Sequence, residues 1–146
     1  MSTALDNFLA KAHKGPGQPA SEADLLKLES QNGTNLPDEI RRLLTLTFSP
    51  AGFVGRSYID FFTIRDMLSV DPWVQDAVSG FVPFASNGGG EYFGFDSRTE
   101  PPPFVMLPAI VLNWDDAMLL GRDWDAFWKT LRRGELFETK YQPVRS

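Results

Sequence analysis

Three carboxylates lie in or beside aromatic segments, where a general acid or base is partly shielded from water. Asp60 lies within the run Tyr58 to Phe62, and Glu91 and Asp96 flank the run Tyr92 to Phe95. If two of these acids met at one sheet edge, they could serve as the paired carboxylates of a hydrolase. The sequence therefore keeps open a small hydrolase or ligand-binding domain that uses carboxylates among aromatic strands.

Alternation along the second segment argues against Glu91 and Asp96 acting as a pair. In a strand, Glu91 shares a face with Phe93 and Phe95, whereas Asp96 points to the opposite face. We interpret Asp96 as a residue that caps the strand end or turns the chain. We expect Glu91 to be solvated near a hairpin.

Other catalytic and metal chemistries find little support in the composition. The chain has no cysteine and one histidine, His13, beside a Gly/Pro segment. We therefore expect no catalysis by histidine or cysteine and no zinc site. Residues Gly88 to Gly90 lie between two strand patterns, which predicts a hairpin turn and not a phosphate loop leading into a helix. We expect no enzymatic activity, no metal and no cofactor.

Helical patterns are clearest in the first half of the chain and near its end. Residues 1–20 predict a docking helix followed by a Gly/Pro linker. Ser21 and Asp24 form a capping box that opens a second helix. The run Leu36-Pro37-Asp38-Glu39-Ile40 is typical of the start of a third helix. A final helix follows Asp123, with Arg132 and Arg133 at its negative end.

Strand patterns dominate the second half of the chain. We predict strands at residues 58–62, 81–85, 92–96, 104–107 and 109–114, with Thr63 capping a short helix after the first of them. This order predicts an α+β fold, an antiparallel sheet with helices packed mainly on one side. We assign residues 21–137 to this domain and residues 138–146 to a loose C-terminal tail.

Length and charge limit the classes of function. A chain of 146 residues is the size of one domain, and we expect a monomer or weak dimer. No apolar run is long enough to span a bilayer and no secretory signal is visible, so we expect a cytoplasmic protein without membrane contact. The net charge of −5 is concentrated in the middle of the chain, which argues against nucleic-acid binding.

Several landmarks together resemble the SUKH superfamily, the Smi/Knr-like domain. These landmarks are the helix Leu25 to Asn32, the run Leu36 to Ile40, the strand and glycine turn Phe81 to Gly90, the strand Tyr92 to Asp96, and the helix start Trp124 to Leu131. The similarity covers about residues 21–134. It implies a SUKH-type α+β fold.

The resemblance also implies a non-catalytic protein that binds and neutralises a toxin delivered between competing bacteria. A basic toxin domain is then the expected partner. A regulatory scaffold, as in the fungal members of the superfamily, remains an alternative. A scaffold predicts several weak partners instead of one tight partner.

An acidic segment is the expected contact surface for a basic partner. Between Asp66 and Glu100, six acids stand against Arg98 alone, and such a surface could steer a basic toxin towards the protein. We also expect Trp73 to be an exposed anchor, and Trp124 and Trp128 to be core residues. The predicted partner-binding residues are Asp66, Asp71, Trp73, Asp76, Glu91, Asp96 and Glu100.

Overall fold

The centre of the structure is one antiparallel sheet of seven strands, whose spatial order is the order of the chain. The computed structural model describes residues 3–142. Each strand pairs with the next one along the chain, which antiparallel strands can do through short loops. The strands are β1 His13–Pro16, β2 Phe48–Val54, β3 Ser57–Phe61, β4 Phe81–Ser86, β5 Glu91–Asp96, β6 Phe104–Pro108 and β7 Met118–Gly121.

Six α-helices and one 3-10 turn accompany the sheet in this part of the chain. The helices are α1 Thr3–Lys11, α2 Glu22–Asn32, α3 Asp38–Leu44, α4 Ile64–Leu68, α5 Trp73–Ala77 and α6 Trp124–Arg133, and the 3-10 turn is Trp114–Asp116. The prediction of an α+β fold with an antiparallel sheet is confirmed.

Polar caps set the ends of the predicted helices. The Ser21 hydroxyl accepts a hydrogen bond from the Asp24 amide, and the Asp24 carboxylate accepts one from the Ser21 amide, both at 3.1 Å. Asp123 accepts from the Ala126 amide at 2.8 Å and so begins α6. Gly134 ends α6 with φ of 72°, a conformation that glycine adopts without strain.

The larger core lies between the first face of the sheet and the helices that cover it. Phe127, Trp128 and Leu131 of α6 are at most 1% exposed. The ring of Phe127 lies 5.8 Å from that of Phe84, and the ring of Trp128 lies 6.2 Å from that of Phe61. Such aromatic pairs add about 0.5–1.5 kcal/mol each beyond the area they bury. Trp124 and Trp128 are core residues, as predicted.

A smaller core covers part of the second face of the sheet. Val74 of α5 and Val78, which follows this helix, pack with Phe81, Leu107 and Tyr141, so this layer covers strands β4 to β7. The same face of β1 to β3 stays open and forms a groove. The uneven cover of the second face is what positions the candidate site.

Two strands lie where the sequence predicts breaks. β1 falls in the Gly/Pro linker that we predicted after the docking helix, and β2 contains residues 49–52, whose Pro and Gly are typical of the end of a helix. Pro16 can end β1 because this strand is at the sheet edge, where a missing amide donor need not be paired. Residues 1 and 2 lie outside the described residues.

The apolar residues 109–114 are not a strand, and this prediction is wrong. They form a loop that leads into the 3-10 turn, and strand β7 begins at Met118. Leu112 is buried in the smaller core, whereas Ile110 and Val111 are 87% and 65% exposed. The loop crosses over the second face, so its apolar residues do not alternate as they would in a strand.

The predicted loose tail is ordered over part of its length. Tyr141 is 1% exposed, its amide donates to the Ala117 carbonyl at 2.9 Å, and Lys140 pairs with Met118. The prediction missed this docking because one aromatic residue gives no periodic pattern. Residues 143–146 lie outside the described residues.

Candidate functional site

The groove on the open half of the second face has a volume of about 910 Å³. A row of directly paired residues crosses its floor. His13 pairs with Ala51, Ala51 with Asp60, Asp60 with Ser86, and Ser86 with Tyr92. Paired residues in a sheet point to the same face, so these five side chains share one surface.

Aromatic side chains form much of the wall. Tyr58 and Phe62 flank Asp60 along the chain and line the groove with it, and the Phe62 ring lies 6.0 Å from that of Tyr92. Trp73 of α5 also lines the groove and is 44% exposed, which confirms the prediction of an exposed tryptophan. The groove therefore offers large apolar contact area to a ligand or partner.

Three carboxylates line the groove, and two of them are engaged in local structure. The Asp66 carboxylate accepts from the Thr63 amide at 2.9 Å and caps α4. The Asp71 carboxylate accepts from the Trp73 amide at 3.1 Å, at the start of α5. The Asp60 carboxylate has no hydrogen bond or ion pair within residues 3–142. Its carboxylate is the one left available for a partner.

The electrostatic environment of Asp60 is unfavourable to its charge. Burial raises the pKa of the Asp60 carboxyl, and the neighbouring Asp66 raises it further, whereas His13 opposes this shift. No Lys or Arg lines the groove in the described part of the chain. The three carboxylates thus outnumber His13, the one basic residue among the described residues of the lining.

A comparison with known protein families identifies the family of the domain. The model of the SMI1/KNR4 family (SUKH-1) matches residues 19–133. The chain belongs to the SMI1/KNR4 family. The match covers α2 to α6 of this SUKH-1 domain, whereas α1, β1 and Tyr141 lie outside it. No curated protein matches the chain.

Glu29, near the end of α2, has a structural task. Glu29 Oε2 accepts from the Leu36 amide at 2.8 Å, and Glu29 Oε1 lies 3.5 Å from Arg41 Nη1. Both contacts hold the segment that leads into Pro37 and α3. Glu29 therefore fixes the path of the chain and lies away from the groove.

The structure separates the predicted partner-binding residues. Asp66, Asp71 and Trp73 line the groove. Asp76 is exposed on α5 but is not part of the groove lining. Glu100 is exposed in a different depression, beside residues 34–37.

Glu91 lies at the start of β5, beside the glycine hairpin. It is half-buried, and its Oε1 accepts from Asn87 Nδ2 at 2.7 Å. Glu91 therefore supports the hairpin and is less solvated than we expected.

Asp96 is fully buried, so it is not a partner-contacting residue, contrary to our prediction. Arg98 donates to it through Nε and Nη2, both at 2.9 Å, and the Tyr141 hydroxyl donates at 2.6 Å. Tyr141, which is 45 positions away along the chain, closes over the carboxylate. No local pattern in the sequence reveals this contact.

The Asp96 cluster, which consists of Asp96, Arg98, Trp114 and Tyr141, stabilises the smaller core on the second face of the sheet. Burial alone raises the pKa of Asp96, but the hydrogen bonds from Arg98 and Tyr141 outweigh it and lower that pKa below its ordinary value. Burial and the bond to Asp96 raise the pKa of Tyr141 to about 12. The Arg98 guanidinium also lies 4.1 Å from the Trp114 ring centroid. The cluster is a structural element.

Between residues 3 and 142, no group of three His, Cys, Asp or Glu side chains is arranged to hold a metal ion. No helix in this range has the length and apolar character needed to cross a membrane.

Proposed function

We propose that this chain is a non-catalytic protein-binding module that acts as an immunity protein in the cytoplasm, where it neutralises a basic toxin domain. The observation that carries the proposal is the acidic, aromatic groove on a SUKH-1 domain. The groove presents three carboxylates and no Lys or Arg among its described lining residues.

The chemistry of the groove suits a basic partner. Like-signed charge on one surface speeds the approach of an oppositely charged protein. Exposed aromatic residues such as Trp73 then supply buried contact area, and interfaces draw much of their energy from such residues. A toxin that binds a phosphate backbone needs a cationic surface, and this groove could cover that surface.

The hydrolase alternative has one observation in its favour, the raised pKa of the Asp60 carboxyl. A second free acid is needed beside it. Asp66 caps α4, Asp96 is buried in its own cluster, and Glu91 is bonded to Asn87. The geometry therefore supports binding better than paired-acid catalysis.

The test uses capture of a partner followed by a growth assay. The tagged protein is incubated with lysate of its native host, and each bound protein is identified and expressed alone in a bacterial strain. We expect one captured protein to stop growth and co-expression of this chain to restore it. Restoration should fail with Asp60→Lys and with Trp73→Ala, and it should persist with Asp76→Lys, an exposed acid outside the groove lining.

Three results contradict the proposal. The first is that no captured protein is toxic. The second is that the two groove variants protect as well as the wild type does. The third is that Asp76→Lys abolishes protection while the groove variants keep it, which assigns the contact to another surface.

A further inference from the structure

The surroundings of Asp60 form a small recess in the floor of the groove. Residues that pair directly in an antiparallel sheet have Cβ atoms about 4.5–5.5 Å apart. The direct partners of Asp60 are Ala51 and Ser86, both with short side chains. Tyr58 and Phe62 stand about 7 Å away along the strand direction, on either side. The Asp60 side chain is exposed, so its carboxylate is open to a partner between these two aromatic side chains.

The recess has the chemical features that attract a cationic side chain. The Asp60 carboxylate lacks a hydrogen bond or ion pair within residues 3–142, and His13 is the one basic residue among the described residues that line the groove. Asp66 and Asp71 hold their positions through backbone amides at the starts of α4 and α5. They contribute negative potential while Asp60 offers both oxygens to a ligand.

A guanidinium group fits this recess better than other cations do. It is planar, it donates two parallel hydrogen bonds to one carboxylate, and it stacks on aromatic rings. An ammonium group is more strongly hydrated and lacks the planar fork. The Asp96 cluster shows the same combination within this protein, because Arg98 binds Asp96 with two nitrogens and lies over Trp114.

We propose that the groove binds its protein partner through an arginine side chain, whose guanidinium pairs with Asp60 between the aromatic side chains of Tyr58 and Phe62. This inference rests on the proposed function, since it names the residue that the partner places in the groove. It makes the Asp60 recess the specificity-determining part of the surface.

The experiment is an NMR titration of the ¹⁵N-labelled protein with a short blocked peptide, Gly-Arg-Gly. Matched peptides carry citrulline, which has the same shape without charge, or lysine. With the arginine peptide we expect shifts of the amides of residues 58–62, 86 and 92 and of the Trp73 indole signal. We expect the dissociation constant to rise about fivefold or more with citrulline or with Asp60→Asn, less with lysine, and to be unchanged with Asp76→Asn.

Several outcomes overturn the inference. These are shifts outside the groove, equal affinity for arginine and citrulline, an affinity unaffected by Asp60→Asn, or the absence of shifts with every peptide. The fold of Asp60→Asn is checked in the same spectra. If a toxin captured through the groove places a residue other than arginine on Asp60, the inference fails while the proposed function stands.

Discussion

Replacement of Tyr141 by phenylalanine removes one hydroxyl from the buried Asp96 cluster and leaves the ring in place. That hydroxyl donates to Asp96 Oδ2 at 2.6 Å, and the two residues are 1% and 0% exposed. After the change, Oδ2 keeps its bond from Arg98 Nη2 at 2.9 Å but loses its second donor. No water has access to a carboxylate that is fully covered, so solvent does not replace the lost bond.

The expected loss of stability follows from the charge and burial of the acceptor. A hydrogen bond to a charged group contributes about 1.5–3 kcal/mol, and we expect Tyr141→Phe to lower the free energy of unfolding by about 2 kcal/mol. For a domain of this size, the melting temperature should fall by about 4–8 °C. Tyr58→Phe is the matched control, because the Tyr58 hydroxyl has no hydrogen bond within the described residues. Its effect should stay within about 0.5 kcal/mol.

The pH dependence supplies an independent check of the same contact. The folded-state pKa of Asp96 is lowered, so its contribution to stability is present above the unfolded-state pKa, about 3.9, and is lost as the pH falls through the folded value. The difference in the free energy of unfolding between wild type and Tyr141→Phe should therefore become smaller below about pH 4. Urea denaturation at several pH values measures it. A loss under about 0.5 kcal/mol at pH 7, or a gap that does not change with pH, refutes the reasoning.

Three further predictions concern other parts of the fold. Because burial and Asp66 raise the pKa of Asp60, ionisation of this group opposes folding as the pH rises. Asp60 is exposed and solvent screens its charge, so Asp60→Asn should stabilise the protein by at most about 0.5 kcal/mol at pH 7, and not at pH 3, in urea denaturation. Gly121→Ala places a Cβ against the Phe127 amide nitrogen, where backbone leaves no room for it, and should destabilise by about 3 kcal/mol, whereas Gly89→Ala meets nothing closer than 3.6 Å and should be neutral in thermal melts. Glu29→Ala removes the acceptor of the Leu36 amide and should lower the free energy of unfolding by about 1–2 kcal/mol in the same assay; an unchanged melting temperature contradicts the structural task of Glu29.

The elements with local signals could be predicted from the sequence. A cap and an apolar stripe identify α2 and α6, because both features are contained in about a dozen neighbouring residues. The strands β4, β5 and β6 combine apolar side chains with turns at their ends. The α+β class follows from the order of these elements.

The groove depends on contacts that no local pattern contains. β1 and β2 carry Gly and Pro, which normally indicate breaks, and both are strands because each is paired with a neighbour. The pairing of His13, Ala51, Asp60 and Ser86 in one row rests on the register of four strands. Helix α5 has five residues, too few to show a period. The sequence singled out Asp60 for its place in an aromatic run, but not the neighbours that leave it unpaired.

The buried Asp96 cluster also depends on contacts that no local sequence pattern contains. An acid at the end of a strand is most often a surface residue, and this base rate favoured an exposed Asp96. Burial of that carboxylate requires two donors, one of them 45 positions away. Only the assembled second layer brings Tyr141 to it.

Because α6 follows the last strand along the chain, it is synthesised after the sheet that it covers. The strands can pair in order as they leave the ribosome, because each needs only its predecessor. Phe84 and Phe93 then lack the cover of Phe127 until residues 124–131 emerge. A nascent chain halted between β6 and α6 displays an aromatic sheet face without its cover. We therefore expect this stage of translation to be the one at which the chain most needs a chaperone.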